Sequence, residues 1–324
     1  MALDFIQLKE TLESLNLSLG AGKVFFVSPS TDAWSSDLIG LQKVSGQVHG
    51  SIQAGLDACT SGRGDTVVVL PGTYTHASAT LSMSKNSVTL LGLSGQREAT
   101  AIVTGTLADP AAGTGFPTVT VTGTNCTIKG LTMSNGWYTS GPVPSEFILQ
   151  VDGSGASVDD CLFTYFANEG SSHSGVSVKA SYVTVKNCRF DNCVMGGAAI
   201  FLDPTGGDLR NPVIEGCHFT GVNKDSDSNT AIEATASDAN SIYGLLIKGN
   251  VFDPTGTGGT YGNDEWYDLD NGGGGDYEGM MCDNLFGVAN ISYNNQLGSR
   301  LSTGIHFIGN KGLNGLSTAT PAAP

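Results

Sequence analysis

Between residues 118 and 252 apolar and polar positions alternate in very short runs, and the runs recur at a nearly constant interval. The clearest run is six residues long and occurs five times: Ile128-Lys129-Gly130-Leu131-Thr132-Met133, Val158-Asp159-Asp160-Cys161-Leu162-Phe163, Val185-Lys186-Asn187-Cys188-Arg189-Phe190, Ile214-Glu215-Gly216-Cys217-His218-Phe219 and Ile247-Lys248-Gly249-Asn250-Val251-Phe252. Successive copies begin 30, 27, 29 and 33 residues apart, the signature of one supersecondary unit stacked on the next. The third position is Gly, Asp, Asn, Gly and Gly. These residues tolerate a left-handed backbone, so the strand is expected to turn a corner there. Beyond the corner the fourth and sixth positions are apolar, Cys or once Asn, and the fifth is unrestricted. That is the period-two pattern of a strand with one buried face.

A further short strand precedes most copies, in "TVTV" at 118, "FILQV" at 147, "GVSV" at 175, "AAIFL" at 198 and "TAIEA" at 230. Three short strands per period, each pairing with its counterpart one period later, predict an all-β chain folded as a right-handed parallel β-helix. Equivalent side chains then stack about 4.8 Å apart. Cys161, Cys188 and Cys217 are expected to form one internal row capped by Asn250, and Phe163, Phe190, Phe219 and Phe252 a second. The second position reads Lys129, Asp159, Lys186, Glu215, Lys248. This alternation places opposite charges on adjacent coils, so these carboxylates are expected to be structural.

Composition agrees with many short strands joined by tight turns, with forty-five Gly and only 14% charged residues. A formal charge of −15 disfavours nucleic acid and anionic membranes as partners. The opening "MALDFIQLKE" has Asp4 where a signal peptide is basic, which predicts synthesis in the cytoplasm. Seven cysteines, an odd number with no Cys-x-x-Cys and no zinc-like spacing, read as core thiols, with no disulfide framework and no metal site.

Upstream of the repeats, "SIQAGLDA" and "GDTVVVLPGTYT" predict a short helix over 51–58, a buried strand over 67–70 and a Pro-Gly turn into Tyr74. This stretch resembles the entry segment of the pectin-lyase-like β-helix superfamily, and the resemblance extends over roughly residues 24 to 310. It implies a helix capping the first coil. It leaves activity open, because that superfamily includes lyases, hydrolases, esterases, phage tailspikes and inert virion proteins. The chain is therefore divided into an N-terminal segment at 1–22, a β-helix at 23–310 with a long loop at 253–284, and a tail at 311–324. Phe5, Leu8, Leu12, Leu15 and Leu19 follow coiled-coil spacing. They are expected either to cover the open lower end of the β-helix or to form a bundle about a threefold axis.

Candidate chemistry lies in the 253–284 segment, which sets acidic residues among aromatic ones. Tyr261, Asp264, Glu265, Trp266, Tyr267 and Tyr277 are the candidate glycan-binding residues, since carboxylates beside stacked rings are what glycan hydrolysis uses. Asp268 and Asp270 raise the alternative of a calcium ion, although a calcium loop would need Glu where Gly279 stands. No other cofactor is expected. Of the polygalacturonase-like motifs only Asp159-Asp160 is present, and it belongs to the repeat turn. Where a pectin methylesterase-like member has a glutamate after "PGTYT", His76 stands, and Arg189 and Arg210 have no lyase-like surroundings. His49, His76, His173, His218 and His306 are scattered, without an evident Ser or Asp partner. No catalytic residue is assigned.

The function expected from these readings is a structural or adhesive virion protein of a bacteriophage, on the capsid or tail. In this reading it is trimeric, it contacts other virion proteins, and it binds a host surface polysaccharide. The alternative is a polysaccharide-degrading hydrolase or lyase of the tailspike kind. If residues 1–20 hold a trimer, light scattering will give three times the chain mass for the whole protein and one chain mass for a truncation lacking them. An unchanged mass would remove that segment from the role.

Overall fold

The computed structural model describes residues 22–28, 47–76, 80–93, 100–104, 117–134, 147–164, 175–191, 198–220, 230–235, 240–253, 267–270, 276–286 and 304–312. Each coil contributes one strand to each of three sheets, and every strand pairing is parallel. One coil runs Leu149–Val151, Ser157–Asp159, Leu162–Thr164, and the next runs Val176–Val178, Thr184–Lys186, Arg189–Asp191. The first strand of each coil lies in sheet C, of seven strands, the second in sheet A, of twelve, and the third in sheet B, of nine. This is the right-handed parallel β-helix expected from the repeat.

The corner between sheets A and B is where the repeat places its third residue. Gly130, Asp160, Asn187, Gly216 and Gly249 all have φ between 52 and 69°, the left-handed region that a side chain normally disfavours. The strand after the corner then alternates inward and outward. Phe163, Phe190, Phe219, Phe252 and Phe286 form a parallel stack with centroids 4.9 to 5.0 Å apart. The aromatic row thus runs one coil beyond the repeat that revealed it.

The cysteine row is internal as expected, and each thiol has two carbonyls within donating reach, one two residues back in its own coil and one in the coil below. For Cys161 these are Asp159 O at 3.4 Å and Ile128 O at 3.9 Å, for Cys188 Lys186 O at 3.2 Å and Val158 O at 3.6 Å, and for Cys217 Glu215 O and Val185 O, both at 3.6 Å. Burial raises the Cys161 and Cys188 thiols well above their ordinary pKa, so they stay protonated donors. Asn250 stands on the cysteine row above Cys217, as expected, and it also begins an asparagine ladder that continues through Asn284 and Asn310. Asn250, Asn284 and Asn310 each donate Nδ2 to a carbonyl one coil below, Ile214, Ile247 and Met281, at 3.1, 3.0 and 2.9 Å. Each Oδ1 also accepts the backbone N–H of Cys217, Asn250 or Asn284 in turn, at 2.8, 2.9 and 3.0 Å. The amide takes over the thiol's contact and adds a second one, which a thiol has no acceptor strong enough to make.

The charge ladder also forms on the outer face of sheet A. Asp159 lies between Lys129 at 3.1 Å and Lys186 at 3.8 Å and accepts from Asn187 Nδ2, while Glu215 faces Lys248 at 3.8 Å. The lysines are about two-fifths exposed, so each pair contributes at most about 1 kcal/mol. At the lower end, helix α1 (Ile52–Ala58), capped by Ser51, buries Ile52 and Leu56 against the first coils. Gly55 packs closely there, since a Cβ would sit 3.0 and 3.1 Å from Val67 and Val27 and those side chains would have to give. The strand expected at 67–70 is Thr66–Val69.

One expectation fails. The 253–284 segment is not a single long loop, because it contains Tyr267–Asp270 in sheet C and Tyr277–Cys282 in sheet A, two strands of a complete coil. Residues 1–21 and 313–324 lie outside the described residues, and with them the expected oligomerisation positions Phe5, Leu8, Leu12, Leu15 and Leu19.

The two ladders should differ in a denaturation experiment. Asn284→Ala strands buried N–H groups and will lower stability by about 3 kcal/mol, whereas Cys188→Ala removes only a weak donor and a small volume and will cost about 1 kcal/mol. Equal urea midpoints for the two variants would contradict this account of the ladder.

Candidate functional site

In most coils the longest connection is the one from sheet B to sheet C. Strands of sheet B end at Ser134, Thr164, Asp191, Thr220 and Asp253, and the next strands of sheet C begin at Leu149, Val176, Ile200, Ile232 and Tyr267. Most of the long connections therefore leave along one edge of the solenoid, while the stretches from Leu202 to Val213 and from Gly92 to Thr100 fall at the other corners.

Tyr261, Asp264, Glu265 and Trp266 lie outside the described residues. Tyr267 and Tyr277 do not form a sugar platform, because both rings are in the core at 0% and 1% exposure. Tyr267 packs edge-on against Phe252 and Phe286 at 5.1 and 5.8 Å, and burial raises its phenol well above its ordinary pKa. Tyr267 and Leu269 alternate with Asp268 and Asp270, so inward parity claims the aromatic residue. Asp268 and Asp270 stand in this strand at the register positions of Glu233 and Thr235, where a strand replaces the calcium loop considered from the sequence. Among the described residues no three His, Cys, Asp or Glu side chains converge as a metal site requires.

The histidines separate as well. His49 packs against Phe25 at 5.6 Å, and burial lowers its pKa. His218 has an acidic neighbour that its sequence surroundings did not reveal, Asp253 Oδ2 at 3.9 Å one coil above. Beside it Arg189 holds Asp191 at 2.7 Å. On the outer face of sheet B, Arg189 is thus paired with Asp191, and His218 and Asp253 are neighbours across adjacent coils.

Sheet C is different. Its outward column reads Gln150, Ser177, Phe201 and Glu233 in consecutive coils. Phe201 stands outward between the buried Ile200 and Leu202, and its ring lies parallel to that of Phe147, with centroids 6.0 Å apart and 13° between planes. These residues belong to coils two apart, and in the intervening coil the small Ser177 stands in register with Phe201. Ser177 is 0% exposed and its Oγ has no hydrogen-bond partner. Lys179 Nζ lies 5.8 Å from the centre of the Phe147 ring and 3.1 Å from Asp203 Oδ2, while Gln150 Nε2 donates to Asp152 at 2.8 Å.

Asp203 fixes the lysine. Burial pushes its pKa up, but hydrogen bonds from the Thr205 hydroxyl and N–H, together with Lys179, outweigh burial and hold it below the usual carboxylate value. The result is a partly buried aromatic pair flanked by an ordered ammonium and an amide, over a buried hydroxyl. None of these five residues stood out in sequence, although Phe201 at an outward parity in Ile200-Phe201-Leu202 was the available signal.

Residues 100–252 match the family model described as a right handed beta helix region. A comparison against curated protein sequences gives no match. Among solved structures the chain is similar to an alginate lyase from Paenibacillus sp., at 16% identity and TM-score 0.52 over 90% of this chain and 95% of that one. It is also similar to a pectin methylesterase from Aspergillus niger, at 13% identity and TM-score 0.50 over 93% of this chain and 90% of that one. At these identities the likeness is one of fold.

Because Asp203 has a lowered pKa in the folded chain, its contribution is present above the unfolded carboxylate pKa of about 3.9 and is lost as pH falls through the folded value. Asp203→Asn is expected to cost about 2 kcal/mol at neutral pH, and urea midpoints for variant and parent will converge in acid. A gap that stays constant with pH would contradict the assigned charge. Asp65, whose pKa is also lowered, is common to both proteins and cancels from the comparison.

Proposed function

We propose that the chain is an adhesive, glycan-binding β-helix that lays a polysaccharide along the outer face of sheet C. The observation that carries this reading is the Phe147–Phe201 pair standing outside a solenoid whose row of stacked phenylalanines is otherwise internal. The fold does not need two phenylalanines at outward, partly buried positions, and aromatic surface left partly accessible on an outer face is what a binding surface offers. Sugar rings present apolar C–H faces edged by hydroxyls. A flat aromatic pair beside Lys179 and Gln150 suits both parts of that surface. The rise per coil, about 4.8 Å, is close to the length of one sugar unit in an extended chain, so successive coils would meet successive units.

A second reading, cleavage of the bound glycan, is favoured by one further observation. Glu233 and Asp268 occupy neighbouring register positions in the coils directly above Phe201, and acidic residues one strand apart are a starting arrangement for paired-carboxylate hydrolysis.

Titration calorimetry against a panel of soluble glycans tests the binding. Phe201→Ala should weaken association roughly tenfold, about 1.4 kcal/mol, with circular dichroism and melting unchanged, and Lys179→Met should weaken it without altering the aromatic pair. Binding by none of the glycans, or full affinity in a folded Phe201→Ala protein, would end this reading. So would a change of oligomeric mass in place of a change of affinity. New reducing ends produced by the parent but not by Glu233→Gln would establish the second reading.

A further inference from the structure

We infer that the upper coils of sheet A carry a two-fold interface for a second copy of this chain, centred on Tyr243 and closed by ion pairs between Arg210 of one copy and Glu278 of the other. The surface is separate from sheet C, so it stands apart from the glycan reading. Its first sign is a change in the outward positions of sheet A. One outward column reads Thr89, Thr127, Ser157 and Thr184 in the lower coils and then Val213, Leu246 and Met280. Among the described residues the exposed large hydrophobic side chains are Tyr182 at 54%, Met280 at 38% and Ile308 at 55%. Met280 and Ile308 lie on sheet A, and Tyr182 lies at the corner leading into it. Tyr182 has a φ of 63° at a corner where neighbouring coils place Gly155 and Asn211, so a large ring occupies a position the fold otherwise gives to small residues. Apolar side chains exposed together on one side of a solenoid mark a surface that binds.

The neighbouring column supplies the charges. Arg210 pairs in register with Tyr243, and its guanidinium lies 5.2 Å from the centre of that ring. Among the described residues its carboxylate neighbour is Asp208, reached through one nitrogen at 3.5 Å, and the other oxygen of Asp208 is taken by the Ser241 N–H. The Arg210 side chain stays more than half exposed. One coil above, Tyr243 and Gly244 together face Glu278, because the register shifts between the pairs Ile242–Tyr277 and Leu245–Gly279. Glu278 is exposed, and among the described residues no cation pairs with it. The cation and the anion thus stand one coil either side of the ring, about 10 Å apart. That is too far for an ion pair within the chain, but it is symmetric about Tyr243. A two-fold axis across the solenoid at Tyr243 sets a second copy antiparallel, so that Arg210 meets Glu278 twice and Tyr243 meets Tyr243. In the next column Leu246 meets Leu246 and Val213 meets Met280. The column beyond holds Lys248 and Glu215 3.8 Å apart, so each Lys248 brings its own countercharge. The surface is complementary to itself, which selects a second copy over an unrelated partner.

Light scattering of the whole chain over a range of concentrations tests this, with circular dichroism to confirm folding. The parent is expected at twice the chain mass. Arg210→Glu and Glu278→Arg each create two like-charge contacts per dimer, and each should raise the dissociation constant roughly a hundredfold. Mixing the two variants in equal amounts restores opposite charges at both contacts, so the doubled mass should return. Met280→Asp leaves the ion pairs in place and should also weaken the dimer. A parent that stays at one chain mass would overturn the inference. So would a mass that neither charge variant changes, or a mixture that remains at one chain mass.

Discussion

Coil-to-coil pairing at the spacing of β-strands governs this molecule. Every side chain touches its own counterpart one turn above and below, so a residue type is tolerated only if it tolerates itself or a matched neighbour as company. Phenylalanine meets this condition by stacking ring on ring. Asparagine meets it by passing an amide from one coil to the next, satisfying carbonyl and N–H groups that the corner leaves open. Cysteine meets it less strongly, with a weak donor and a good fit. Charge meets it only in alternation, which is why Asp159 is held between two lysines.

The same rule explains what is unusual about sheet C. Phe147 and Phe201, two coils apart, find each other on the outer face, and the Ser177 hydroxyl of the coil between them is covered without being satisfied. Burying a hydroxyl without a partner costs about 1 to 3 kcal/mol, and exposing aromatic surface returns nothing to the fold. Neither arrangement is demanded by the stacking that holds the solenoid together. Departures from local consistency that the fold does not require are where binding surfaces are found. Most of the long connections emerge on one edge because the sharp corner between sheets A and B is fixed by a left-handed residue, leaving the return to sheet C as the place where chain length varies most freely.

Much of this was legible in the sequence, because the repeat writes both its period and its inward parity into a few residues. The corner residues, the cysteine and phenylalanine rows and the alternating charges are local patterns read once per coil, and each appears where the pattern puts it. The asparagine ladder was half legible. Asn250 belonged to the repeat, but Asn284 and Asn310 lie in coils whose apolar signature is diluted, so the row looked as if it ended. Tyr267 and Tyr277 were misread for a related reason. Their Gly- and Asp-rich surroundings resembled a loop, and only the pairing of Tyr267–Asp270 with Ile232–Thr235 and of Tyr277–Cys282 with Ile242–Lys248 drew both rings inside.

By itself the sequence determined the architecture, since a strand's parity and a corner's left-handed residue are properties of a few consecutive positions. The tertiary structure alone decided the surface. Which outward residues become neighbours depends on register between coils some thirty residues apart. No local pattern announces that Phe147 meets Phe201, that Lys179 is held by Asp203, or that His218 faces Asp253.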